Sequence, residues 1–283
     1  MWRDMDQRLN STPQDLYLEF DGARLRYRDE GHGPALVLVH GWTFDLDMWE
    51  FQADALTPDY RVVRLDRRGF GLSSGLPSLA QDVLDVAALC RHLKINRIAL
   101  VGMSQGARVA LDLANAALVA VSCMVLDGPP QLALVSASGT STDLPYEHYR
   151  SVARRDGMSA FRREWLVHPL ASLRTHDRRA QQILSRMIER YPGHDLLGLE
   201  TDNRRIAIAP ERHSRLPPLL LISGEHDLDS RRCFAKRVAS ELSQPEHVDI
   251  AGAGHLCNLD NPRAYNAALK RFLAMHAVEQ AHR

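Results

Sequence analysis

Residues 97–117 constrain this chain more than any other stretch. The run Arg97-Ile98-Ala99-Leu100-Val101 leads into Gly102-Met103-Ser104-Gln105-Gly106, and helical spacing follows to residue 117. A serine between two glycines, set between a buried strand and a helix, predicts a turn so tight that its flanking positions admit only small side chains. Such a turn lifts the hydroxyl clear of a sheet. It also aims the first amide of the following helix at the place where an oxyanion would form. Five residues of this kind arise by chance as well, so their weight comes from what surrounds them.

The surroundings alternate strand with helix. Residues 16–20 and 24–28 alternate apolar with polar around Asp21-Gly22, which predicts a hairpin forming a pair of edge strands. Residues 35–40 and 60–66 are apolar runs that read as parallel strands buried on both faces. Residues 78–93 repeat apolar positions at helical spacing, and residues 122–126 give the next strand. From about 130 to 210 the pattern changes to arginine-rich helical sequence without a strand, with amphipathic helices expected at 161–166 and 180–191. Strand–helix alternation resumes with 218–223, 231–242, 247–250 and 262–276. The expected organisation is an α/β core in two parts, residues 1–130 and 211–283. A helical cap, residues 131–210, is inserted over the carboxyl ends of the strands, where ligands bind in open α/β sheets. Residues 1–14 read as a polar lead-in.

Composition narrows the function classes. With 35 basic and 35 acidic residues the formal charge is zero, which argues against a nucleic-acid surface. No apolar run nears the roughly 20 residues of a membrane helix, and the first residues hold no apolar signal region. The four cysteines, Cys90, Cys123, Cys233 and Cys257, lie far apart without a C-x-x-C pair. That pattern speaks against zinc and for reduced thiols in a cytoplasmic setting. The expected partner is a small-molecule substrate, with neither nucleic acid nor membrane; a homo-oligomer is compatible with the sequence.

A serine hydroxyl needs a base within hydrogen-bond reach, and that base needs an orienting carboxylate. Behind a turn of this kind the order is serine, acid, histidine. Gly224-Glu225-His226-Asp227 follows the strand at 218–223, so Asp227 is the candidate acid. Glu225, Asp229 and Asp127 are the other carboxylates in reach, and a turn or helix-cap role is the plain alternative for Asp227. Ala253-Gly254-His255 follows the last strand and makes His255 the candidate base. The Gln105 amide would give one oxyanion donor. The Trp42 amide, in His40-Gly41-Trp42 after the strand at 35–40, would give the second. His40 is expected to brace that loop. Asp66–Ser73 reads as a structural glycine-rich turn; no Gly-Lys-Ser/Thr follows it, which argues against nucleotide binding. Arg108, one helical turn past Ser104, either faces the site and binds a carboxylate or pairs with an acid beneath it.

Taken together, His40-Gly41-Trp42, Asp66–Ser73, Gly102–Gly106, Gly224–Asp227 and Gly252–Leu256 resemble the α/β-hydrolase superfamily, in order and spacing, across nearly the whole chain. The front-half residues 40–50 and 66–71 most resemble the bacterial arylesterase and cofactor-free haloperoxidase (perhydrolase) group. Gln105 stands where that group commonly has methionine, and Ala107 where it has a second glycine. The resemblance implies an α/β-hydrolase fold: a mostly parallel central sheet flanked by helices, with an inserted helical cap. It also implies ester hydrolysis with side perhydrolysis, and neither a metal nor an organic cofactor. Ser104 departs from epoxide hydrolases and haloalkane dehalogenases, which carry aspartate there. Ser104-x-Gly106-Ala107-Arg108, with Trp165 and Pro169, is also similar to the menaquinone-pathway lyase. There the same triad abstracts a proton and arginines hold carboxylates, which implies substrate-binding roles for Arg108 and Trp165. The expected activity is therefore hydrolysis of a small carboxylic ester, lactone or thioester. The alternatives are a triad-dependent carbon–carbon hydrolase or lyase, or a low-turnover ligand-binding member of the fold.

Overall fold

The computed structural model describes residues 14–130, 132, 143–198, 216–241 and 245–277. The polar lead-in up to residue 13 and stretches of the 131–210 segment lie outside the described residues.

The apolar runs become one eight-stranded sheet of order β1-β2-β4-β3-β5-β6-β7-β8. The strands are β1 (Leu16–Phe20), β2 (Ala23–Glu30), β3 (Ala35–Val39), β4 (Arg61–Leu65), β5 (Arg97–Met103), β6 (Ala120–Asp127), β7 (Leu219–Gly224) and β8 (Glu246–Ile250). From β4 through β3 to β8 every pairing is parallel. The hairpin departs from expectation in one respect. β1 is an edge, but β2 is interior, paired antiparallel with β4 as well, in the register Tyr27↔Leu65 to Glu30↔Val62. Its polar end had the look of an edge because the charges there are paired. Arg61 meets Asp29 at 2.7 Å, and Arg64 meets Glu30 at 2.9 Å.

The central strands bury both faces, with alternate residues going to different cores. Leu36, Leu38, Val101, Val125 and Ile222 face one cluster; Val37, Val39, Leu100, Leu126 and Leu221 face the other. Helices α2 (Leu79–His92), α3 (Gln105–Ala116) and α7 (Asp229–Glu241) cover the second face. Helices α1 (Glu50–Leu56), α8 (Cys257–Asp260) and α9 (Pro262–His276) cover the first. Between β6 and β7 lie α4 (Tyr146–Asp156), α5 (Met158–Leu166) and α6 (Arg178–Arg190). Tyr149, Phe161, Trp165, Ile183 and Met187 from these helices join the first cluster beside Trp42 and Phe44. Helix starts follow capping chemistry: the Ser78 hydroxyl accepts from the Gln81 amide, and Asp177 accepts from Ala180 at 2.8 Å. No helix among the described residues is long and apolar enough to cross a membrane.

Candidate active site

The turn after β5 is as tight as its sequence requires. A Cβ on Gly102 would lie 2.3 Å from the Gly106 carbonyl oxygen, and one on Gly106 would lie 2.3 Å from that of Val39. Only hydrogen fits at either position. Ser104, between them, has φ 52° and ψ −113°. A non-glycine residue held there costs about 1–3 kcal/mol, which the surroundings must over-determine. They do so partly through the Ser104 amide, which donates to the Asp127 carbonyl at 2.7 Å.

Asp227 and His255 come together from the loops after β7 and β8. Two main-chain bonds continue the β7–β8 pairing beyond the strands: Glu225 N donates to Ile250 O at 3.0 Å, and His226 N to Ala253 O at 2.9 Å. The turn carries Asp227 against the imidazole, with 2.8 Å between Asp227 Oδ2 and His255 Nδ1, both side chains buried. Asp227 Oδ1 is taken by the Leu228 amide at 2.7 Å. Gly128 packs on this pair so closely that a Cβ there would come within 2.8 Å of His255 Cε1 and 3.3 Å of Asp227 Oδ2. The other carboxylates stand apart. Glu225 accepts from the Gly252 amide, and Asp229 is exposed at the start of α7. Asp127 is wholly buried, against Tyr265 and Cys257. Burial, with Asp227 nearby, raises its pKa well above the ordinary carboxylate value, which favours its neutral form.

Ser104 and His255 line one cavity of about 400 Å³ together with Trp42, Gln105, Arg108 and Trp165. All six predicted positions are thus brought together with Asp227 directly behind His255. Gly41, just before Trp42, sits so near the turn that a Cβ on it would fall 3.3 Å from Ser104 Cβ. His40 does brace this loop: its Nδ1 donates to the Gly41 carbonyl, and its Nε2 accepts from the Arg67 amide, each at 2.8 Å. Burial, reinforced by the Arg67 guanidinium, holds the imidazole pKa well below its ordinary 6.5. Arg67 also joins the two candidate oxyanion elements. Its guanidinium reaches the His40 carbonyl and the Gln105 side-chain oxygen, and it rests on buried Asp82 at 2.7 Å. Burial pushes Asp82 up to about 6 despite that partner.

Apart from Trp165, sequence reasoning missed the residues that the helical segment contributes to this cavity. Asp143, Leu144, Tyr146 and Asp195 line it, as does Arg231, whose guanidinium pairs with Asp143 at 2.5 Å. Asp195 Oδ2 accepts from the Trp42 indole at 2.6 Å, and Trp165 donates to the Thr43 hydroxyl at 2.7 Å. The Tyr191 hydroxyl donates to Asp195 Oδ1. Burial and that carboxylate push the Tyr191 pKa well above its ordinary value, so it stays a donor. The segment is pinned elsewhere by Arg190, paired with Asp45 at 2.8 Å, and by Asp260, whose carboxylate takes the Arg174, Thr175 and Gly254 amides. None of these acids stands in a motif; a lone aspartate in an arginine-rich helical stretch carries no local signal.

Comparison with known proteins agrees with this architecture. A sequence profile described as the alpha/beta hydrolase family matches residues 36–268. A Bacillus subtilis (strain 168) protein named "Putative 2-succinyl-6-hydroxy-2,4-cyclohexadiene-1-carboxylate synthase" is 27% identical over 267 residues, covering 89% of this chain and 96% of that one. A non-heme haloperoxidase from Rhodococcus erythropolis is 32% identical over 132 residues, 45% of this chain and 48% of its own. Among solved structures, a thermophilic esterase from Thermogutta terrifontis superposes with a TM-score of 0.75 at 25% identity, over 93% of this chain and 98% of that one. The matched profile spans most of the sheet and every residue that meets at the cavity: the chain belongs to the alpha/beta hydrolase family.

Proposed function

We propose that this chain is a serine hydrolase that cleaves a small carboxylic ester, lactone or thioester through Ser104, His255 and Asp227. One observation carries the reading. A serine on a positive-φ turn shares a cavity with an imidazole whose far nitrogen lies 2.8 Å from a buried carboxylate. In the mechanism, His255 Nε2 takes the Ser104 proton as Oγ attacks the acyl carbon, and Asp227 accepts from Nδ1–H and stabilises the imidazolium. The Trp42 and Gln105 amides hold the oxyanion, each worth roughly 3 kcal/mol in the transition state. Collapse of the tetrahedral intermediate expels the alcohol, which takes the proton from His255. Water, deprotonated by His255, then attacks the acyl-enzyme and releases the acid, and Ser104 recovers its proton.

In this reading residues 131–210 form a cap over the strand ends, and Trp165 packs against the acyl or alcohol group. The four free thiols suit a cytoplasmic setting. Relatives whose names include an esterase and a haloperoxidase support the reaction class. A second reading, a carbon–carbon hydrolase or lyase with the same triad, draws on Arg108 lining the cavity and on the name of the Bacillus subtilis relative. Turnover of carboxylate-bearing substrates over simple aryl esters, lost in Arg108→Ala, would favour it.

The direct test is treatment of the purified protein with a fluorophosphonate probe, the labelled site being read by mass spectrometry. Labelling at Ser104, absent in Ser104→Ala, is expected. Folded protein that takes up no label would sink the serine-hydrolase reading.

A further inference from the structure

Two consecutive residues of the loop after β3 are tied to the helical segment by indole hydrogen bonds that run in opposite directions. Trp42 of the loop donates to Asp195 of the segment at 2.6 Å. Trp165 of the segment donates to Thr43 of the loop at 2.7 Å. The two indoles meet edge to face, with ring centres 5.0 Å apart and planes at 71°. Thr43 is wholly buried at φ 66°, a conformation that a β-branched residue keeps only when its surroundings hold it there. Asp195 is itself nearly buried, and both its oxygens are occupied: Oδ2 by Trp42 and Oδ1 by the Tyr191 hydroxyl. The Tyr146 hydroxyl fastens its main-chain carbonyl at 3.0 Å. A carboxylate so engaged is in no position to act as a base, although it borders the cavity that holds Ser104.

We infer that Asp195 is a positioning residue for the oxyanion site: by fixing the Trp42 indole it sets where the Trp42 main-chain amide points. The inference rests on the serine-hydrolase reading and deepens it. In that reading Trp42 joins two jobs in one residue: its amide serves as an oxyanion donor, while its side chain, at the cavity wall, is held by the segment. Seating of the helical segment is thereby converted into placement of an oxyanion donor. With the segment displaced, Trp42 loses its hydrogen-bond acceptor and Thr43 loses the bond that helps hold its strained backbone. The site then keeps its nucleophile and base but has one badly aimed donor.

The test uses Asp195→Asn and Trp42→Phe, singly and together, on an aryl ester. Asparagine keeps the shape but offers one acceptor oxygen to two donors, and phenylalanine removes the indole N–H while leaving the main-chain amide. Each single variant is expected to lower kcat about 10- to 100-fold, as misplacement of a catalytic group by about an ångström does, with KM within about threefold. The double variant is expected to be no worse than the poorer single, because both remove one contact. Affinity for a trifluoromethyl ketone, which forms a tetrahedral oxyanion on the serine, is expected to fall in step with kcat/KM. A merely structural role would lower the melting temperature without that correlation. If Asp195→Asn does not fold, Trp42→Phe alone decides. Wild-type kcat in a folded variant, or a reduced kcat with unchanged ketone affinity, overturns the inference. A wild-type protein that hydrolyses no ester and leaves Ser104 unlabelled overturns the underlying reading as well.

Discussion

The two walls of the cavity are built in different ways. On the sheet side, position is set by main chain. The glycines flanking Ser104 admit no Cβ, and the loops bearing Asp227 and His255 are joined by amide–carbonyl bonds that extend the β7–β8 pairing. On the helical side, position is set by side chains. Phe161, Trp165 and Tyr191 meet the Trp42 indole edge to face and Tyr146 meets it at a tilt, and Asp195 gathers the polar ends of Trp42, Tyr146 and Tyr191. A main-chain scaffold fixes atoms within a few tenths of an ångström whatever the neighbours are. An aromatic cluster tolerates repacking, because its burial energy is non-directional and only its few hydrogen bonds are specific. Under the proposed function, the nucleophile, base and acid belong to the first wall, while the second shapes the pocket and, through Trp42, aims one oxyanion donor.

The largest expected effect tests whether the chemistry belongs to the sheet wall. Asp227→Asn should lower kcat about 10⁴-fold, by leaving His255 without its carboxylate partner. Asp127→Asn should stay within a few-fold, since His255 is held by Asp227 and burial already favours the neutral form of the Asp127 carboxyl. Steady-state kinetics on both variants decide, and equal losses would break the assignment. A middle-sized effect asks how rigid the sheet wall is. Gly128→Ala puts a methyl group 2.8–2.9 Å from the His255 ring at a position whose φ is +49°. We expect kcat to drop about 100-fold with the fold retained. Activity near wild type, alongside an unchanged circular-dichroism spectrum, would mean that the loop yields and the two walls are alike. The smallest effect is on stability. His40 titrates near 6.5 when unfolded and well below that when folded, so the unfolded chain binds the extra proton between those values. Stability from this group is therefore complete above pH 6.5 and falls as pH drops below it, by about 1 kcal/mol between roughly pH 7.5 and 5.5. Urea midpoints at the two pH values should differ by that much less in His40→Gln. An unaltered difference would mean that His40 is not the group whose burial ties stability to pH.

The same contrast explains what the sequence disclosed. The strands and the serine turn were legible because their signals are local: unbroken apolar runs, and glycines where no Cβ fits. Asp227 and His255 were legible because each follows a recognisable strand. The interior place of β2 was hidden because its pairing partner lies more than thirty residues away and its exposed-looking acids are answered by Arg61 and Arg64. Helix α4 was unread because only Tyr149, Val152 and Ala153 of its residues are buried, too thin a stripe to show a period. Asp195 was invisible for a deeper reason. Its role comes from where three aromatic side chains meet in space, and no spacing along the chain encodes that meeting.

The turn at Ser104 also bears on how far this protein stands from its own thermodynamic optimum. Glycine would adopt φ 52° without penalty, whereas serine does so against its Cβ. The side chain at that point therefore leaves the native backbone more strained than glycine, which carries no nucleophile, would leave it. Chains selected for thermal endurance alone would drift toward losing it. Persistence of a strained serine there is what a molecule kept for turnover, rather than for durability, would display.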